Sequence, residues 1–214
     1  MERLYGVYPA LVTDNNDPDG QGRVRVRYPW ATSGTEEAWA RLSTLIGGPS
    51  KGSFFIPEVD DEVLVTFEAG DPSRPYVIGC LWNGQDSPPA RVTGQNEVKV
   101  LKTRSGMEIQ FTERSGQEEI LIQTPGGQSV KLKDGPGNVE VRDSNGNSVK
   151  LDPSGITVNA AAKVTVTASS VEVSAGMLTV NAGMSKFSGV VQANTVITNS
   201  VVSASYTPGA GNIW

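Results

Sequence analysis

Histidine is absent from the sequence, and cysteine occurs once, at Cys80. Without histidine there is no Ser-His-Asp or Cys-His catalysis and no histidine-ligated zinc. One cysteine rules out an intrachain disulfide, a CxxC redox pair and a cysteine zinc site. No apolar run approaches the roughly 18 residues of a membrane span, and the N-terminus lacks a charged-then-apolar leader. The expectation is therefore a chain made and kept in the cytosol, or exported by a route that its N-terminus does not display. Aromatic residues are scarce after residue 90: ten of the 14 lie before it, leaving Phe111, Phe187, Tyr206 and Trp214. Leucine gives way to valine there, with 18 Val against 5 Leu in residues 91–214. Charge divides at the same place. Residues 1–90 carry 7 Lys+Arg and 13 Asp+Glu, whereas residues 91–214 carry 11 and 10. Two different materials meet near residue 90.

The first ninety residues alternate turn signals with β-type runs. Val24 and Val26 alternate with Arg23, Arg25 and Arg27, a period of two that fits a half-buried strand. Leu4–Thr13, Trp39–Leu45, Glu62–Phe67 and Pro75–Leu81 read as four more strands. About five strands with short turns between them predict a small closed or partly open barrel.

Several local patterns resemble chemistry. Asn15, Asp17, Asp19 and Gly20 are spaced like the opening of a calcium loop, but the twelfth position is Val26, where a bidentate glutamate is needed. A plain hairpin turn is the simpler reading. Glu58, Asp60, Asp61 and Glu62 could supply a carboxylate pair for glycoside hydrolysis, or could be a solvated strand entry after Pro57. The segment GGPSKGS lacks the spacing of a phosphate loop. Arg23, Arg25 and Arg27 with Tyr28 and Trp30 could bind single-stranded nucleic acid, against which stands the acidic balance of the domain. Cys80 lies in an apolar strand, where a small buried thiol is expected.

From residue 106 apolar residues come in i, i+2 pairs. They are Ile109/Phe111, Ile120/Ile122, Val130/Leu132, Val139/Val141, Val149/Leu151, Ile156/Val158, Val164/Val166, Val171/Val173 and Leu178/Val180. The spacing between pairs shortens from 11 residues to 7. Each pair lies on one face of a very short strand, so this is an internal repeat. Two apolar side chains per strand contribute a few kcal/mol at about 25 cal/mol per Å², against about 1–2 kcal/mol per residue for ordering the backbone. A lone chain of such strands is under-stabilised. Three chains wound into a triangular prism, with the paired residues facing the shared axis, would bury them. A single-chain solenoid is the competing arrangement, and it normally needs a longer coil. The ending Tyr206, Pro208, Ile213 and Trp214 combines turn residues with large apolar ones and is assigned to tip or partner contact. The expected organisation is a barrel at 1–88, a linker at 89–105, a shaft at 106–190 and a shaft end at 191–214.

The runs DPDGQGRVRVRYPW, WAR and FFIPEVDDEVLVTFEAGDPSRPYVIGCLWNG resemble, in order and spacing, the central spikes of contractile injection systems. That family includes phage baseplate assembly protein V and the valine-glycine repeat spikes. The C-terminal run SGVVQANTVITNSVVSASYTPGAGNIW resembles the shaft end of short spikes in it. One departure is Asp60, where the family often has glycine, which leaves the tightness of that turn open. The resemblance implies an all-β homotrimer: an N-terminal oligonucleotide-binding-type (OB) barrel, used for assembly, then an intertwined trimeric β-helix as a needle. It also implies docking of residues 1–88 on a hub or tail-tube ring protein, and a Pro-Ala-Ala-Arg repeat tip protein or cargo at the far end. Only residues 85–105 separate the two parts, too few for the lysozyme domain some relatives insert there. The histidines with which some relatives bind iron at the tip are absent. The expectation is a structural spike with no cofactor, no metal, no catalysis and no nucleic acid, touching the target membrane only by mechanical puncture. The alternatives are a glycan-binding or peptidoglycan-cleaving spike and a nucleic-acid-binding barrel.

Overall fold

The computed structural model describes residues 3–32 and 34–204. Every regular element in it is a strand apart from a three-residue 3-10 turn at Glu68–Gly70. The strands are β1 Tyr8–Asp14, β2 Val24–Arg27, β3 Glu37–Leu42, β4 Gly47–Gly48, β5 Lys51–Gly52, β6 Glu62–Phe67 and β7 Pro75–Cys80. They continue as β8 Val98–Lys102, β9 Glu108–Thr112, β10 Glu119–Gln123, β11 Ser129–Lys133, β12 Asn138–Arg142, β13 Ser148–Asp152 and β14 Gly155–Asn159.

Strands β1, β2, β3, β7 and β6 close into a barrel in that order, as the alternation in the first ninety residues predicts. All neighbours are antiparallel except β3 and β7, which run parallel at Arg41–Tyr76 and Leu42–Val77. The inward side chains of each strand form the core. Val12, Val24, Val26, Val63 and Val65 are fully buried, with Ala10, Ala40, Val77, Tyr28 and Phe67 around them. Small branched residues suit the narrow interior, and one end is closed by aromatic rings. Tyr28 packs on Trp30 and Phe67 at centroid distances of 5.4 and 5.5 Å, and its hydroxyl donates to the Pro72 carbonyl at 3.0 Å. Burial, and after it the charge of Glu36, hold this phenol above its ordinary pKa.

The turn before β6 is tight despite lacking glycine. Asp60 adopts a left-handed conformation, φ 75°, while its N–H donates to Val12 O and the Val12 N–H donates to Asp61 O. Aspartate tolerates this region better than most residues, which keeps the turn at a modest cost.

Strands β8 to β14 form one seven-stranded antiparallel meander in sequence order. Residues 98–102, within the segment read as linker, are its first strand. Five of its six reversals contain a positive-φ glycine, among them Gly106 at 88°, Gly127 at 88° and Gly146 at 89°, and the sixth is followed by Gly155, the first residue of β14, at 131°. Glycine adopts these angles without the Cβ clash that other residues meet. The strands therefore pair within one chain as far as Asn159. The wound β-helix expected for the shaft requires other copies of the chain.

Residues 165–204 form a second unit. Within 165–202 there is no strand, and among the described residues no backbone–backbone hydrogen bond. The four tip residues, Tyr206, Pro208, Ile213 and Trp214, lie outside the described residues.

Candidate functional site

The registers of the meander sort its side chains into two faces. On one face two straight columns run across the strands. Leu101, Ile109, Ile122, Val130, Val141, Val149 and Val158 make the first. Lys99, Phe111, Ile120, Leu132, Val139, Leu151 and Ile156 make the second. Twelve of the residues assigned to the shaft core are thus brought onto one surface. Leu101 joins them, and the repeat missed it because its partner position two residues earlier is Lys99.

This apolar face is uncovered. Its side chains keep from 37% exposure at Ile120 to 71% at Ile156, with Val130 alone half-buried. A trough of about 610 Å³ follows the first column past Ile122, Val130, Val141, Val149 and Val158. On the opposite face the middle row reads Val100, Gln110, Leu121, Lys131, Glu140, Lys150 and Thr157. Gln110, Lys131, Glu140 and Lys150 there are half-buried. Cations on that face find carboxylates nearby: Lys102–Glu108 at 3.1 Å, Lys131–Glu119 at 3.6 Å, Arg142–Glu140 at 2.6 Å and Lys150–Asp152 at 2.8 Å. In one chain the usual order is reversed, with apolar groups in water and polar ones more covered. A continuous exposed apolar face of this length marks an interaction surface. The remaining assigned residues, Val164, Val166, Val171, Val173, Leu178 and Val180, are exposed and belong to no strand.

The barrel carries a second apolar feature. Strands β4 and β5 form a short arm braced by Ser53 N–H to Ile46 O at 3.0 Å and Thr44 Oγ1 to Ser53 O at 2.7 Å. Gly52 is needed there, since a Cβ would come within 2.5 Å of Ile46 O. The arm holds out Leu45, Ile46, Phe54 and Phe55, the first 93% and Phe54 80% exposed. A groove of about 980 Å³ separates it from the Gly20–Arg23 turn. The broken, glycine-rich sequence of this arm gave no periodic signal.

The groups that resembled chemistry are occupied in holding the fold. Asp17 accepts from the N–H groups of Asp19, Gln21 and Arg23 and from the Arg23 guanidinium at 2.6 Å. The Arg23 side chain, first among these, keeps the Asp17 carboxyl well below the ordinary range. Asn15 donates to Pro57 O at 3.2 Å. The calcium-like spacing therefore encodes a turn filled by an arginine. Arg25 lies 3.5 Å from Asp14 and 3.3 Å from Glu37, and Arg23 and Arg25 flank the Trp39 ring at 5.6 and 5.9 Å. Two of the three arginines are thus neutralised in place. Asp61 accepts from Glu58 N–H at 2.8 Å, Glu62 from Asn83 Nδ2 at 2.9 Å, and Glu58 lies 3.4 Å from Arg104. Cys80 is exposed, contrary to the buried thiol expected. The register between β6 and β7 shifts at Leu64/Val65, which leaves Ile78 as an extra residue in β7, and from there Ile78, Gly79 and Cys80 are all exposed. Partial burial, then the charge of Asp61, still push this thiol's pKa up.

Residues 8–82 match the type VI secretion system/phage-baseplate injector OB domain, and residues 119–182 match the phage baseplate V C-terminal trimerisation domain. Similar proteins include the type VI secretion system spike protein VgrG5 of Pseudomonas aeruginosa, 34% identical over 134 residues, 56% of this chain and 17% of that protein. Spike protein VgrG3 of Vibrio cholerae is 30% identical over 113 residues, 49% of this chain and 11% of that one. The actin cross-linking toxin VgrG1 of the same species is also 30% identical over 113 residues, 49% of this chain and 10% of its own. The chain spans less than a fifth of the length of these curated relatives. With an injector barrel followed by a baseplate V trimerisation domain, the chain belongs to the central-spike family of contractile injection systems.

Proposed function

We propose that the chain is a structural spike, a homotrimer at the tip of the tail tube or baseplate of a contractile injection system. The observation that carries this reading is the two-column apolar face, exposed in one chain and contained in large part within the trimerisation match. Three copies turning these faces to a common axis would remove them from water, and the ion-paired faces would form the outer wall. Force from the contracting machine would pass along the stacked strands to the target envelope. The barrel, residues 1–88, docks on the hub or tail-tube ring, with the arm bearing Leu45, Ile46, Phe54 and Phe55 as its exposed apolar element. A Pro-Ala-Ala-Arg repeat tip protein or cargo would sit beyond Tyr206, Pro208, Ile213 and Trp214. The spike would be assembled in the bacterial cytoplasm and carried in the particle, without catalysis of its own. Its partnered carboxylates and arginines give neither the glycan-cleaving nor the nucleic-acid reading any support.

Light scattering on the full chain tests this. The expected mass is three times 22.7 kDa, in a species that resists cold SDS. A monomer at micromolar concentration overturns the proposal.

A further inference from the structure

We infer that the groove between the β4–β5 arm and the Gly20–Arg23 turn receives an extended segment of a partner protein, one that carries both carboxylates and apolar side chains. This rests on the reading that the barrel docks on a hub or tail-tube ring. It adds which surface of the barrel does so and what chemistry that surface selects.

The first observation is charge. Residues 1–90 carry 13 Asp+Glu against 7 Lys+Arg, yet the groove is lined by Arg23, Arg41 and Lys51 and by no carboxylate. Asp17 and Asp19 already match Arg23, at 2.6 and 2.5 Å. Among the described residues, Arg41 and Lys51 form no ion pair. Both are nonetheless held in place. The Arg41 guanidinium lies over the Tyr76 ring, 5.6 Å from its centre. The Lys51 stem crosses Gly48 so closely that a Cβ there would come within 2.8 Å of its Cε. Two positioned, unmatched cations in an otherwise acidic domain are complementary to carboxylates.

The second observation is apolar surface beside those cations. Leu45, Ile46, Phe54 and Phe55 line the same groove and are 93%, 62%, 80% and 69% exposed. At roughly 200 Å² per ring, the two phenylalanines alone leave about 300 Å² in water. With Leu45 and Ile46 added, this matches the largest apolar patches on monomers, roughly 300–600 Å², which often serve binding. The third is shape. At about 980 Å³ the groove stands at the upper end of the roughly 300–1,000 Å³ of small-ligand clefts, room for several residues of extended chain. Gly20, Gly22, Gly47, Gly48 and Gly52 line it, so a partner backbone can approach without side chains in the way. The two-stranded arm also offers open edges to which an extended segment can hydrogen-bond. A protein segment fits better than single-stranded nucleic acid. Leu45 and Ile46 offer no ring for base stacking, and the acidic excess of the barrel opposes a polyanion.

The test uses the full-length protein and a labelled peptide of about ten residues in which glutamate alternates with leucine, read by fluorescence anisotropy. Binding is expected at about 50 mM salt and should weaken several-fold at about 200 mM. Arg41→Glu and Lys51→Glu should each weaken it at least about fivefold, and Phe54→Ser at both salt levels. Arg91→Glu, the same charge change at an exposed position outside the groove, should leave it within about twofold. Equal binding of a peptide with lysine in place of glutamate, or of a thymidine oligomer of the same length, overturns the inference. So does an Arg41→Glu and Lys51→Glu response no larger than that of Arg91→Glu. Docking is read separately, by light scattering on the full chain mixed with the ring protein of its own particle. If the parent joins the ring and Lys51→Glu and Phe54→Ser join it equally well, the groove assignment falls and docking stands. If the parent does not join the ring, the docking reading falls and takes this partner with it.

Discussion

Thr157 and Val158 are neighbours on β14 that point to opposite faces of the meander. Thr157 stands opposite Lys150 in the polar row, and Val158 stands opposite Val149 in the apolar column. Replacing each by aspartate applies the same charge to the two sides of one strand. Val158 keeps 58% of its surface exposed in the single chain. With a valine residue area of roughly 150 Å², about 90 Å² remains to be buried, worth about 2 kcal/mol per copy at 25 cal/mol per Å². Val158→Asp forfeits that gain in all three copies. It also sets three carboxylates around one axis. At a separation of about 6 Å and an effective dielectric of about 20, each of the three pairs repels by about 3 kcal/mol. The trimer should dissociate at neutral pH, read as a fall in mass by light scattering. Below about pH 4 the carboxyls protonate, and association should partly return. Thr157→Asp gains Lys150 as a neighbour and should leave the trimer intact. An unchanged mass for Val158→Asp, or equal dissociation by Thr157→Asp, would refute the assignment of faces.

Other expectations concern the barrel. Tyr28→Phe removes the donor to the Pro72 carbonyl and should destabilise the barrel by about 1–2 kcal/mol in urea titration, with aromatic packing retained. The Asp17 carboxyl is held below its ordinary range in the folded chain, so its contribution is present above about pH 4 and declines as pH falls below it. Asp17→Asn should therefore lower stability at neutral pH and flatten this acid limb in thermal melts taken across pH. Asp60→Gly should leave stability within about 1 kcal/mol of the parent, while Asp60→Val at the same positive φ should cost about 1–2 kcal/mol or more.

The barrel was legible because its strands alternate strictly. Val24 and Val26 between three arginines, or Val63, Val65 and Phe67 in EVLVTF, fix which side chains face in. The meander was only partly legible. Its i, i+2 pairs placed twelve side chains on one face, yet the same pairs fit strands from one copy or from three. The turn glycines decide between these, and their meaning lies in backbone angles, which composition does not display. The arm at Gly47–Gly52 was opaque because four apolar residues flanking a glycine turn have neither period. Cys80 is exposed because the inward alternation of β7 stops after Val77, where Ile78 is an extra residue in the pairing with β6, and the run PYVIGC gives no local sign of it. The calcium-like spacing is a plain turn, as its missing twelfth ligand indicates, but the group that fills the loop, the Arg23 guanidinium just before β2, carries no local signal.

The ion-paired face of the meander bears on how such a shaft would pass through an envelope. A wall rich in unmatched lysine and arginine would cling to anionic lipid headgroups, by about 1 kcal/mol per basic residue near the surface. A wall of unmatched carboxylates would be repelled by them. Here Lys102, Lys131, Arg142 and Lys150 each have an acidic neighbour on the same face, and residues 91–214 carry a net charge of only +1. Such a surface has little electrostatic grip on the bilayer. It would slide through a charged barrier with low adhesion on the way in, and lipid would do little to hold it there afterwards.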